Sequence, residues 1–230
     1  MNEAPAVDGS AAAAQREFWS RVAQRYDRVV DLQIGGRTRA LARERVAQEG
    51  RFGSLAEFGC GTGFFTQVLA GKADRVVATD LSPAMLAIAE SRIDAPNVRF
   101  QAEDCQRTSF GDGAFDAAFL TLVLHFTEPE RTLAEMRRIL KPGGVLIIAS
   151  PDREALAGLD RARSAFRILF YGVTGYRTKL PKRFATKLGN DGLARLLAEH
   201  GFSVASAQSI RDASRSSNVP IRYVRAVKAS

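Results

Sequence analysis

The residues best suited to chemistry lie in a short glycine-rich run, AEFGCGTGFF, over residues 56–65. Gly59, Gly61 and Gly63 alternate there with Cys60 and Thr62. A loop of this composition lets a ligand approach bare backbone. Two carboxylates follow at the ends of apolar runs. Asp80 closes RVVATD, 21 residues after Gly59, and Asp104 closes VRFQAED. Such groups accept hydrogen bonds from a sugar diol or an amino group. Leu81 and Met85 are placed to press on the faces of a flat base, and Glu57, just before the glycines, suits an ammonium group reached through water.

Phosphate ligands fit this pattern poorly. A dinucleotide loop needs a small residue where this chain has Phe64, and Phe64-Phe65 would crowd a helix N-terminus. No Lys-Ser/Thr pair follows the glycines, so the P-loop pattern fails as well. Carboxylates around the loop would repel a pyrophosphate but favour a nucleoside that carries positive charge. His125 follows the fourth apolar run. With an ordinary pKa of about 6.5 it is a candidate general base, or a residue that only shapes the cavity. Cys60 and Cys105 have no His neighbours in sequence and read as small loop-fillers, so no metal is expected. His200, before Gly201, reads as a helix C-cap.

The elements that must hold these residues alternate between strand and helix. Apolar runs at 54–58, 75–79, 98–102, 115–124 and 145–150 predict strands. Helices are predicted over 66–71, 83–93, 129–140 and 191–200, with Ser82 as N-cap and Pro83 in the first turn. Lys141-Pro142-Gly143-Gly144 reads as a helix stop and turn. Runs at 202–206 and 221–227 permit an antiparallel finish. The expected class is α/β, a Rossmann-like, mostly parallel sheet with helices on both faces. Residues 1–14 read as a frayed tail and 15–230 as one domain. Within it, two N-terminal helices fill 15–50, and 151–190 is a helical insertion capping the substrate.

Composition narrows the setting. Hydrophobic residues make up 46% of the 230, enough for a proper core. Two cysteines, no basic-then-apolar leader and no apolar run near the roughly 20 residues of a membrane span together suggest the cytoplasm. The net charge of +8 is uneven, for residues 151–230 hold 15 Lys/Arg against 6 Asp/Glu. Such a region attracts anionic lipid, nucleic acid or an acidic substrate, or it is a solvated face.

The ordered set EFGCGTG, VVATDLSPAML, FQAEDC, FDAAFLTLVLHF and LKPGG resembles the class I S-adenosylmethionine-dependent methyltransferases. It is most similar to their small-molecule branch, which includes ubiquinone/menaquinone-type enzymes. The resemblance covers residues 15–150 and, in outline, the last strand pair. It implies a seven-stranded sheet with a reversed last strand, S-adenosylmethionine as methyl donor and S-adenosylhomocysteine as product. It implies that Gly59, Cys60, Gly61 and Gly63 wrap the methionine part, that Asp80 binds ribose, and that Asp104 and the Cys105 backbone hold adenine. Leu120-Thr121 would lie against the amino-acid end, and Tyr26, within RYD, would close over the cofactor.

The expected reaction is methyl transfer to O, N or S of a small, apolar or aromatic molecule with an anionic group or a membrane home. The insertion mixes Phe166, Phe170, Tyr171 and Tyr176 with Arg177, Lys179 and Lys182, which motivates that acceptor and makes peripheral membrane contact an alternative. Nucleic acid is a weaker partner, because Leu120-Thr121-Leu122-Val123 lacks the Asn/Asp-Pro-Pro-aromatic pattern of enzymes that methylate base amines. A membrane-bound phospholipid or quinone-precursor enzyme and a non-catalytic cofactor-binding protein are the other readings. Nothing in the sequence fixes an oligomeric state.

Overall fold

Seven strands pair into one sheet, in the order β3-β2-β1-β4-β5-β7-β6. The computed structural model describes residues 9–156, 158–160, 162–163, 189–214 and 218–229. The strands are β1 (Phe52–Phe58), β2 (Ala73–Asp80), β3 (Val98–Ala102), β4 (Phe115–Thr121), β5 (Leu140–Pro151), β6 (Phe202–Ile210) and β7 (Ile221–Lys228). The helices are α1 (Gly9–Val22), α2 (Tyr26–Gln33), α3 (Gly36–Ala47), α4 (Thr66–Leu69), α5 (Pro83–Arg92), α6 (Pro129–Ile139) and α7 (Asn190–Glu199). Neighbouring strands from β3 to β5 run parallel, while β7 runs antiparallel to both β5 and β6.

Period-two alternation assigns each strand residue to a face. Phe58, Leu120, Leu146 and Ile148 pack with Leu133 and Met136 of α6 and Leu193 and Leu197 of α7. On the other face Leu55, Phe119, Ile147 and Tyr223 pack with Val30 of α2, Val46 of α3 and Phe65. The two central strands are thus covered on both sides, which is why they read as unbroken apolar runs. Register aligns their carboxyl ends: Phe58 pairs with Thr79 and with Leu120, and Asp80 pairs with Ala102. The loops that follow converge on one edge of the sheet, where ligands of open α/β folds bind.

Several boundaries differ from the sequence reading. The first helix begins at Gly9, so residues 9–14 of the expected frayed tail are helical; the alanine run at 11–14 has the highest helix propensity of any residue type. The first of the two expected N-terminal helices is divided by a 3₁₀ turn at Ala23–Arg25 into α1 and α2. The helix before Lys141 stops at Ile139 as expected, but Lys141 to Gly144 bulge out within β5, where the register to β4 shifts and Gly143 takes φ 72°. β6 runs on to Ile210. Of the expected capping insertion, residues 164–188, with the aromatic and basic side chains, lie outside the described residues.

Candidate active site

The glycine loop leaves β1 with Gly59 at φ 70° and Gly61 at φ 55°, a left-handed conformation that favours glycine. A Cβ on Gly59 would sit 2.8 Å from Cβ of Val123, and one on Gly61 would sit 3.1 Å from Cε1 of Tyr26. Neither glycine can carry a side chain without striking Val123 or Tyr26, and both line the cleft as a bare-backbone floor. The following helix, α4, is one turn long, so it presents no extended helix end to a phosphate. Phe64 lies under the Arg39 guanidinium, 4.0 Å from the ring centre, and takes no part in the loop's ligand face.

Asp80 joins this floor to the next strand end. Its Oδ2 accepts the Gly61 N–H at 3.0 Å and its Oδ1 accepts the Ser82 N–H at 2.9 Å. Each oxygen keeps a further lone pair for a ligand. Burial pushes its pKa up to about 6, against the opposing backbone N–H groups of Ser82, Gly61 and Leu81. Ser82 caps α5 by accepting the Met85 N–H at 3.3 Å, with Pro83 beside it, as the sequence predicted. That cap turns Leu81 and Met85 toward the cleft. At the end of β3, Asp104 closes a tight turn through the Gln106 N–H at 2.9 Å.

These groups line one narrow cleft with a volume of about 60 Å³. Of the residues expected from sequence, Tyr26, Gly59, Gly61, Asp80, Leu81, Met85, Asp104, Cys105 and Thr121 face it. Four others sit elsewhere. Cys60 packs with Ala78 and Leu86, and Gly63 packs against Ala89 and Ile93. Leu120 points into the core beneath α6. Glu57 alternates onto the opposite face from Phe58 and is fully buried under the loop. There its Oε2 accepts the Thr66 hydroxyl at 2.7 Å, while Oε1 has no partner. Burial raises its pKa to about 8, with the Asp80 charge adding to the rise, so Glu57 is largely neutral near pH 7.

Other wall residues were not foreseen. Trp19 and Gln15 reach in from α1, and Leu122, Val123 and Phe126 from the segment after β4. Gln15 donates to the Phe126 carbonyl at 2.9 Å, and the Ser20 and Ser82 hydroxyls meet at 3.0 Å, so α1 is tied down across the cleft. Trp19 meets Phe126 edgewise at 4.9 Å and Tyr26 at 6.1 Å. Leu122 holds φ 52°, a conformation costly for a branched side chain, and no letter in the sequence signals it. Beside it the buried Thr121 hydroxyl has no partner within the protein.

His125 stands behind this wall, its ring 3.9 Å from that of Phe126. Burial, and then the Arg153 charge, lower its pKa to about 3. It is therefore neutral at physiological pH but a weak proton acceptor. His200 ends α7 with Nδ1 2.9 Å from the Leu196 carbonyl. Among the described residues no group of three His, Cys, Asp or Glu is placed to hold a metal ion.

A sheet with this order and a reversed β7 is the Rossmann-like fold of the methyltransferases. The floor without side chains, the doubly anchored Asp80 and the orphaned Thr121 hydroxyl fit an adenosyl ligand carrying an amino-acid end. A family model described as "Methyltransferase domain" matches residues 56–148. A demethylmenaquinone methyltransferase of Deinococcus radiodurans is 30% identical over 221 residues, covering 91% of this chain and 86% of its own. A ubiquinone/menaquinone biosynthesis C-methyltransferase of Azotobacter vinelandii is 30% identical over 169 residues, covering 69% and 67%. A solved S-adenosylmethionine-dependent methyltransferase from Thermotoga maritima superposes with a TM-score of 0.66 at 23% identity, covering 92% of this chain and 99% of that one. The chain belongs to the S-adenosylmethionine-dependent methyltransferases, among the relatives of the ubiquinone/menaquinone-type enzymes.

Proposed function

We propose that this enzyme transfers the methyl group of S-adenosylmethionine to a small, flat, apolar acceptor of the quinone-precursor kind. The observation that carries the reading is one cleft in which Asp80, anchored on two backbone N–H groups, and the Gly59–Gly61 floor face an aromatic wall of Trp19, Tyr26 and Phe126. In this reading Asp80 takes the ribose diol, and Leu81 and Met85 flank the adenine. Asp104 and the Cys105 backbone meet the adenine edge, and Thr121 meets the amino-acid end. Glu57 acts from beneath the loop rather than by contact.

When bound, the cofactor supplies a methyl group already activated by its sulfonium. The chain's work is then alignment and exclusion of water. Gln15 and Ser20 help by holding α1 across the opening. His125 supports the wall from behind Phe126 and does not line the cleft, so in this reading it moves no proton. That suits an acceptor that ionises unaided, such as a phenol whose oxygen or ring carbon attacks. The similarity to a C-methyltransferase adds carbon to the O, N or S expected from sequence as the atom methylated. The buried, unpaired thiols of Cys60 and Cys105 suit a reducing compartment.

The test is turnover of methyl-labelled S-adenosylmethionine with a lipid-soluble quinone fraction, an aqueous metabolite fraction and RNA. Label entering the quinone fraction supports the proposal. Label confined to the aqueous fraction or RNA overturns the acceptor class, and no label in any arm points to a binding protein without turnover.

A further inference from the structure

A cluster outside the cleft wall joins the covering helices to the glycine loop. Asp27, next to Tyr26 at the start of α2, accepts the Thr62 hydroxyl at 2.9 Å on Oδ1. The same oxygen accepts Arg39 Nη2 at 3.1 Å, and Oδ2 accepts Arg92 Nη1 at 2.7 Å. Thr62 lies between Gly61 and Gly63 and is only 2% exposed. Arg92, at the end of α5, also reaches the Thr62 carbonyl at 3.4 Å. Arg39 of α3 is 3% exposed and divides its guanidinium between Asp27 and Asp31. Burial alone would raise the Asp27 pKa, but the bonds from Arg92, Arg39 and Thr62 outweigh it and hold the carboxyl below its ordinary value.

This arrangement meets at Thr62, which is flanked by the left-handed glycines Gly61 and Gly63. A loop so permissive needs an outside hold to keep one shape. The hold comes from the residue adjoining Tyr26, whose ring rests on Gly61. We propose that Asp27 and Thr62 are positioning residues for the cofactor: their hydrogen bond clips α2 to the glycine loop and sets Tyr26 and the Gly59–Gly61 floor in the shape that holds the methionine end. The proposal rests on the reading that the cleft takes S-adenosylmethionine.

Thr62→Val keeps shape and burial while deleting the donor, and Thr62→Ser keeps the donor. Calorimetry with S-adenosylhomocysteine, alongside kcat and KM for the methyl donor, reads the effect. A charge-assisted hydrogen bond corresponds to roughly a tenfold or larger change in affinity. Thr62→Val is expected to raise the Kd about tenfold with kcat at saturating donor largely kept. Thr62→Ser should stay near wild type, and Asp27→Asn combined with Thr62→Val should bind no worse than Asp27→Asn alone. A Thr62→Val Kd within about twofold of wild type, or a melting temperature that falls with Kd unchanged, would show a purely structural clip and overturn the proposal. If Asp27→Asn does not fold, the Thr62 pair decides alone. Failure of the wild-type chain to bind either adenosyl compound overturns the functional reading, and this inference with it; wild-type binding matched by Thr62→Val overturns this inference only.

Discussion

Glu57 shows how a single carboxylate can be read correctly as acidic and wrongly as accessible. Its place just before the glycines suggested a group facing the ligand, but strand alternation turns it onto the core face, where Thr66 is its partner. The folded-state pKa of about 8 exceeds the unfolded value of about 4.3, so the folded protein holds a proton that the unfolded chain releases. The stability tied to that proton is full below about pH 4.3 and is lost as pH rises toward 8, at up to about 1.4 kcal/mol per pH unit. Glu57→Gln should flatten this fall between pH 5 and 8 in urea unfolding; a slope matching wild type contradicts the burial account. Asp80 titrates the other way for function. With its pKa near 6, protonation removes acceptors offered to ribose, so cofactor affinity should weaken as pH drops below about 6, and an affinity flat from pH 8 to 5 contradicts that role. Gly59, Gly61 and Asp80 were legible because their spacing at the ends of successive apolar runs marks a ligand loop and a strand-end carboxylate. Leu122 was not, because a strained φ on a branched residue leaves no mark in the letters.

At the scale of elements, the alternation of apolar runs with capped helices was legible almost throughout. Ser82-Pro83 located α5 because both residues act locally on the first turn. The N-terminal helices were legible as helices, and Tyr26 as a residue closing over the cofactor, but the side chains that tie α1 across the cleft were not. Tertiary contacts of Gln15, Ser20 and Trp19 with segments some 60 to 110 residues away hold α1 in place. Trp19 gives this element its chemical face. Trp19→Ala should remove the edge contact with Phe126, an interaction of about 0.5–1.5 kcal/mol beyond buried area, and raise the acceptor KM roughly tenfold. Initial rates with varied acceptor at saturating methyl donor measure it. An unchanged acceptor KM would place the acceptor away from this wall.

At the scale of the molecule, one sheet does two jobs. Its two apolar layers supply stability, and its aligned carboxyl ends supply the site. Leu120 sits in the first of these, fully buried beside the cleft without facing it. Leu120→Ala should cost about 2–5 kcal/mol of unfolding free energy by denaturant titration. Its cofactor affinity, measured on the folded fraction, should stay near wild type; a large loss of affinity would mean that Leu120 holds the ligand directly, as the sequence had suggested. The parallel order and the reversed β7 were legible from the sequence because five weak motifs fell in the right order and spacing. The mixed aromatic and basic stretch at 164–188, from which the acceptor was inferred, lies outside the described residues, so the acceptor reading now stands on the Trp19, Tyr26 and Phe126 wall.

The central claim is that the Asp80 cleft is an S-adenosylmethionine site. Isothermal titration calorimetry of the wild-type chain and Asp80→Ala with S-adenosylmethionine tests it most directly, with NAD as the control. One site per chain, weakened about a hundredfold or more by losing two charge-assisted hydrogen bonds in Asp80→Ala, with no heat from NAD, is the predicted result. Equal binding by wild type and Asp80→Ala, or binding of NAD in place of S-adenosylmethionine, would contradict it.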